Sequence, residues 1–208
     1  IGNARQTKLY DIWNNETMRK LRLDMLEGKF NSLCDRCFEL DDTGSNSLRK
    51  HMNRTFTNHQ DVVDSTKDDG TVDKFNMAYM DIRFSNICNL KCRSCGPSLS
   101  SSWDEDVKNN EQVIENFFSG NKDKMDSIYS APNINETIAN MNYDECKYLK
   151  ELKVTGGEPF LSEPFLQFLS NLVDWDLAKN IKMEIFTNSS FFPKEKFRKL
   201  LPEFKSTF

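Results

Sequence analysis

The sequence holds 208 residues, of which 38% are hydrophobic, 29% charged and 12% aromatic, enough for one globular domain or one plus an appendage and unlike a disordered or collagenous chain. Its 28 basic and 32 acidic residues leave a formal net charge of −4, which argues against a broad phosphate-binding face and makes nucleic acid the minority partner. The two histidines, His51 and His59, share one polar stretch and the eight glycines spell neither GxGxxG nor a P-loop, so an HExxH zinc site and those two nucleotide-binding routes are excluded, as is a membrane span of roughly 18 apolar residues.

The chain opens on Ile1 without a basic-then-apolar leader, which reads as the start of a processed or partial chain. Asp11 to Gly28 is expected to be helical, because Ile12, Met18, Leu21, Met25 and Leu26 recur at three-to-four spacing, Asn14 or Asn15 can cap and Gly28 can stop it. Leu40 to Lys74 is rich in Asp, Asn, Ser and Thr and reads as a loop or linker. A domain boundary is placed near residue 74. Met80, Ile82 and Phe84 then alternate with Tyr79, Asp81, Arg83 and Ser85, the period of a strand. Asp81 and Arg83 share one strand face and either look toward a ligand or pair structurally.

Ser100 to Asn109 opens a helix with Ser and Asp caps, and Gly120 to Asn142 reads as an Asn-rich insertion. After it the rhythm is regular: strand Leu152 to Thr155, helix Glu163 to Leu177 with Phe165, Phe168, Leu169 and Leu172 on one face, strand Lys182 to Thr187, helix Pro193 to Leu201, and the start of a strand at Phe204 to Phe208. Alternating strands and helices predict parallel βαβ units and an α/β fold.

Six cysteines carry the chemistry. Cys88, Cys92 and Cys95 form CxxxCxxC directly after a predicted strand. A loop this short can wrap one inorganic cluster; thiolates hold iron-sulfur clusters, and three ligands leave one iron of a four-iron cluster open. The competing readings are a structural zinc site, which closes with four ligands, and disulfides, which need an oxidising compartment. Cys146 is either a distant fourth ligand or, as favoured here, a buried free thiol.

The triplet together with Val154-Thr155-Gly156-Gly157-Glu158-Pro159 closely resembles the radical S-adenosylmethionine superfamily. The resemblance implies a 4Fe-4S cluster on Cys88, Cys92 and Cys95 at the top of a partial (β/α) barrel, with S-adenosylmethionine chelated by the open iron. It also implies that Gly156, Gly157, Glu158 and Pro159 end the second strand against the methionine amino group, and that Asn188, in Thr187-Asn188-Ser189, faces the cofactor. Reductive cleavage to a 5′-deoxyadenosyl radical and hydrogen abstraction from a substrate would follow, with the cofactor supplying the hard chemistry. Ser94 stands where family members usually carry an aromatic residue, and Ser189 where the third-strand motif usually has Gly. The chain supplies fewer strands than the family barrel, so the barrel is expected to be incomplete here.

Cys34 and Cys37 form CxxC, and with Tyr10-Asp11-Ile12-Trp13-Asn14 and Met18-Arg19-Lys20-Leu21-Arg22 they resemble SPASM or twitch domains, which bind auxiliary iron-sulfur clusters. In those relatives the domain usually follows the barrel, whereas here it precedes the triplet. Half of a zinc site and unligated thiols are the alternatives for this pair.

The sequence therefore leads to a radical S-adenosylmethionine enzyme of SPASM or twitch type. Residues 1–74 are expected to form the SPASM/twitch-like segment and its polar linker, and residues 75–208 the first half of the partial barrel. A peptide, protein or small-molecule substrate, a reducing electron donor and a cytoplasmic location follow from the resemblance and the cluster chemistry, without a membrane. The alternative is a non-catalytic iron-sulfur electron-transfer or zinc-binding module.

Overall fold

The computed structural model describes residues 2, 7–57, 59–97, 99–112, 140–190 and 192–207. The chain divides into two compact units, Ile1–Asn76 and Met77–Phe208.

In the first unit the expected helix from Asp11 to Gly28 is two helices, α1 (Leu9–Trp13) and α2 (Glu16–Leu26). The break lies at two asparagines. Asn15 is extended and its side chain caps the amide of Met18 at 2.9 Å. The Asn14 side chain pairs with the backbone of Val72 in both directions, at 2.9 and 3.0 Å. A short polar side chain that bonds backbone in this way competes with continuing a helix. Gly28, at φ +67°, ends α2 as expected.

The stretch from Leu40 to Lys74 is not a loop. It contains the end of α3 (Asp35–Asp42), α4 (Leu48–Thr55) and α5 (His59–Asp64), and an antiparallel bridge joins Thr66 to Val72. Its polar residues serve as caps and ties: Ser47, fully buried, caps α4 through the amide of Lys50, and Asp41 pairs with Arg49 and Lys50. Arg22 of α2 donates to the carbonyls of Gly70 and Trp13, both at 2.8 Å. A Cβ on Gly70 would stand 2.5 Å from the Arg19 carbonyl oxygen, so α2 and this stretch touch backbone to backbone.

The second unit is a parallel sheet in the order β1 (Tyr79–Arg83), β2 (Glu151–Thr155), β3 (Lys182–Ile185), β4 (Ser206–Thr207). The register sets Asp81 beside Lys153 and Lys153 beside Glu184. Period-two alternation puts Met80, Ile82, Leu152, Val154 and Met183 on one buried face. Helix α8 (Glu163–Asp174) covers them; α6 (Asp104–Asn109) and α7 (Tyr143–Cys146) precede it in the chain. The α8 side chains Phe165, Phe168, Leu169 and Leu172 have no exposed surface, and the Phe84 ring lies 5.2 Å from Phe165 and 5.5 Å from Phe168. Phe197 of α9 (Glu195–Leu200) closes the same cluster against Phe165.

Helix α8 stops three residues before the expected Leu177 because Asp176 adopts φ +60° and the Leu177 amide turns back to the Leu172 carbonyl. Asp81 and Arg83 lie exposed on the other face, beside Lys153 and Thr155 rather than paired with one another. The expected insertion at Gly120 to Asn142 lies, up to residue 139, outside the described residues. Among the described residues no helix is long and apolar enough to cross a membrane. The architecture is mixed α/β around a small parallel sheet.

Candidate metal centre

The carboxyl ends of β1, β2 and β3 deliver three loops to one edge of the sheet, the edge at which parallel α/β sheets receive ligands. Phe84, 1% exposed, anchors the exit of β1. The next residues run alongside the end of β2, where the Gly157 amide donates to the Ser85 carbonyl at 3.0 Å and the Glu158 amide to the Ile87 carbonyl at 2.7 Å. Gly156 sits at φ +124°, and a Cβ there would lie 2.8 Å from the Ser85 oxygen. On Gly157 a Cβ would lie 2.2 Å from the Ile87 oxygen. Both glycines are thus required by the close approach of the segment that enters Cys88.

Glu158 is 1% exposed. Its Oε1 accepts from the Phe160 amide at 3.2 Å and the Thr187 hydroxyl at 2.8 Å. Its Oε2 accepts from the same hydroxyl at 2.9 Å and from the Asn188 amide at 2.8 Å. The carboxylate therefore ties the end of β2 to the segment after β3, while Pro159 begins a buried single turn. Thr155, next to Gly156, carries a buried hydroxyl without a partner among the described residues.

The cysteine loop is braced from behind by a serine run. Ser101 Oγ accepts from the Cys88 amide at 3.2 Å, Ser102 Oγ donates to the Cys88 carbonyl at 2.8 Å and Ser100 Oγ donates to the Leu90 carbonyl at 2.8 Å. From the sequence these serines are expected only as helix caps. The available signal was the Ser-Leu-Ser-Ser-Ser run itself, whose length exceeds what one cap needs. In front, Asn188 Nδ2 donates to Cys88 Sγ at 3.6 Å and to Asn89 Oδ1 at 3.1 Å, and Asn89 Nδ2 donates to Ser190 Oγ at 2.7 Å. Asn188 thus stands beside Cys88. A turn brings the Cys95 amide to the Cys92 carbonyl at 3.0 Å.

Cys88 and Cys95 are half-buried and Cys92 is exposed, and all three are free thiols. Among the described residues no group of three His, Cys, Asp or Glu side chains is drawn together as a metal site; the fold brings the three cysteines into one braced loop, while their sulfurs do not converge. The donor set fits an iron-sulfur cluster: three soft thiols on one loop, open to solvent on the Cys92 side.

Cys146, the alternative fourth ligand, is fully buried, and burial pushes its thiol up to about 12. It is a core residue, as favoured from the sequence. In the first unit Cys34 ends a single turn and Cys37 lies in the first turn of α3, one turn further on. Both are half-buried free thiols, and burial, then the neighbouring Cys37, raises the Cys34 thiol above its ordinary value.

A family model described as SPASM, an iron-sulfur cluster-binding domain, matches residues 1–38, a span that includes Cys34 and Cys37. No curated protein and no solved structure matches the chain. The match supports a relation of this N-terminal segment to SPASM domains and, with it, iron-sulfur cluster binding.

Proposed function

We propose that the protein is a radical S-adenosylmethionine enzyme with a SPASM-type N-terminal segment. The observation that carries the reading is the knot at the carboxyl edge of the sheet, where the loop of Cys88, Cys92 and Cys95, the turn of Gly156, Gly157, Glu158 and Pro159, and Asn188 are joined by hydrogen bonds. A non-catalytic ferredoxin-like loop has no need of a buried carboxylate linking two strand ends. On this reading β1 to β4 are strands of a partial (β/α) barrel.

Cys88, Cys92 and Cys95 would hold a 4Fe-4S cluster with one iron left open. When bound, such a cluster would supply the single electron for reductive carbon–sulfur cleavage of S-adenosylmethionine and, through it, the radical chemistry that removes a hydrogen atom from the substrate. The chain's own residues do the positioning. Gly156 and Gly157 hold the segment that enters Cys88, Glu158 fixes the segment after β3, and Pro159 stiffens the turn. Cys34 and Cys37 would supply ligands to an auxiliary cluster. The substrate is a peptide, a protein or a small molecule, and an external donor supplies the electron.

Anaerobic reconstitution with iron and sulfide tests the proposal. About four irons per chain are expected from one cluster and about eight from two, with 5′-deoxyadenosine formed after addition of dithionite and S-adenosylmethionine. Cys92→Ala should remove the cluster and the product together. An intact cluster without 5′-deoxyadenosine would point to electron transfer, and zinc in place of iron would sink the cluster assignment.

A further inference from the structure

Asn188 has a side chain whose orientation is fixed. The Ser190 amide can only donate, and it donates to Asn188 Oδ1 at 2.9 Å, so the atom turned toward Cys88 is the amide nitrogen. Asn89 closes the ring with the same polarity: its oxygen accepts from Asn188 at 3.1 Å and its nitrogen donates to Ser190 Oγ at 2.7 Å. Flipping either amide would set donor against donor. The Asn188 backbone is held as well, through its amide to the buried Glu158 carboxylate at 2.8 Å. Of the three loop cysteines, Cys88 is the one whose sulfur receives a hydrogen bond among the described residues, at 3.6 Å.

We propose that Asn188 is a positioning residue that tunes the reduction potential of the cluster through an N–H···S hydrogen bond to Cys88, with Glu158 and Ser190 holding it in that pose. The inference rests on the reading of Cys88 as an iron ligand. A donor aimed at a ligating thiolate favours the more electron-rich, reduced cluster, and hydrogen bonds to the sulfurs are among the factors that set such potentials. The role differs from contact with S-adenosylmethionine, because the Asn188 amide and carbonyl groups are both engaged within the protein.

The test is an EPR-monitored reductive titration of the reconstituted protein without S-adenosylmethionine, with iron counted, in wild type, Asn188→Ala, Asn188→Gln and Cys88→Ala. Asn188→Ala should keep its iron and become about tenfold harder to reduce, about 59 mV for a one-electron couple. Asn188→Gln, which keeps an amide donor, should recover at least part of that shift. An unchanged potential in a fully loaded Asn188→Ala overturns the inference and leaves the cluster assignment standing. Loss of iron from both Asn188 variants also overturns it, since the residue would then build the loop rather than tune it. If Cys88→Ala binds as much iron as wild type, the reading of Cys88 as a ligand falls, and the inference with it.

Discussion

Glu158 and Thr187 lie 29 residues apart in sequence, yet the Thr187 hydroxyl sits 2.8 and 2.9 Å from the two carboxylate oxygens of Glu158. The carboxylate is buried and also receives the Phe160 and Asn188 amides. Leaving buried donors unpaired is expensive. Glu158→Leu should therefore cost about 2–4 kcal/mol, and Thr187→Val about 1 kcal/mol, read from urea unfolding of the metal-free protein at neutral pH. Equal costs would show that the carboxylate is not the centre of this junction.

Gly157 and Gly96 offer a paired comparison. A Cβ on Gly157 meets backbone atoms of the segment leading into Cys88 at 2.2 to 2.7 Å, whereas among the described residues nothing lies within 4 Å of one on Gly96, directly after Cys95. Gly157→Ala should displace the Cys88 segment and lower reconstituted iron severalfold, while Gly96→Ala should load as wild type does. Normal iron in Gly157→Ala would show that the loop tolerates a shift of its entrance.

Asp41 should make the first unit acid-sensitive. Its carboxyl is lowered from 3.8 to about 2, chiefly by the Ser47 hydroxyl and then by Arg49 and Lys50. A carboxyl lowered on folding contributes stability that is complete above about pH 4 and fades as the pH falls toward 2. The stability difference between wild type and Asp41→Asn, measured by urea unfolding, should be largest near neutrality and shrink between pH 4 and pH 2. A difference that stays constant across that interval would refute the assignment.

Thiol labelling should separate the cysteines by location. Cys146 is buried and its thiol is pushed up to about 12, while thiolate is the reactive form. Iodoacetamide at pH 8 on the metal-free native protein should spare Cys146 and modify it only after denaturation, as peptide mass spectrometry would read. Labelling of Cys146 as fast as Cys92, which is exposed, would contradict the packing described.

The strands of the second unit were legible because Met80, Ile82 and Phe84 alternate with polar residues and the buried face of the sheet repeats that period. Helix α8 was legible from its phenylalanines. Helices α4 and α5 were not, because each carries only two apolar residues among charged and polar ones, too few to mark a helical period, and the stretch around them is rich in Asn, Asp, Ser and Thr, the residues that also make caps and turns. The split at Asn14 depends on Val72, 58 residues away, and no local pattern reports such a partner. The candidate site shows the same division. Cys88, Cys92, Cys95 and Gly156 to Pro159 stand out as motifs, whereas Ser100 and Ser102 donate to backbone carbonyls behind them and Ser101 accepts from the Cys88 amide. Hydrogen bonds of that kind leave no spacing rule in the sequence.

The ties from Asn188 and Ser190 to Cys88 and Asn89 span 100 and 101 residues. During synthesis the cysteines leave the ribosome first, and the amide and hydroxyl that steady them arrive only after some hundred further residues. Until β3 has docked, the loop is an open thiol-bearing segment, exposed to stray metal and to oxidation. On the proposed cluster reading, timing becomes part of assembly: iron delivered after the late segment has folded would meet a shaped receptor, and iron delivered earlier a floppy chelator.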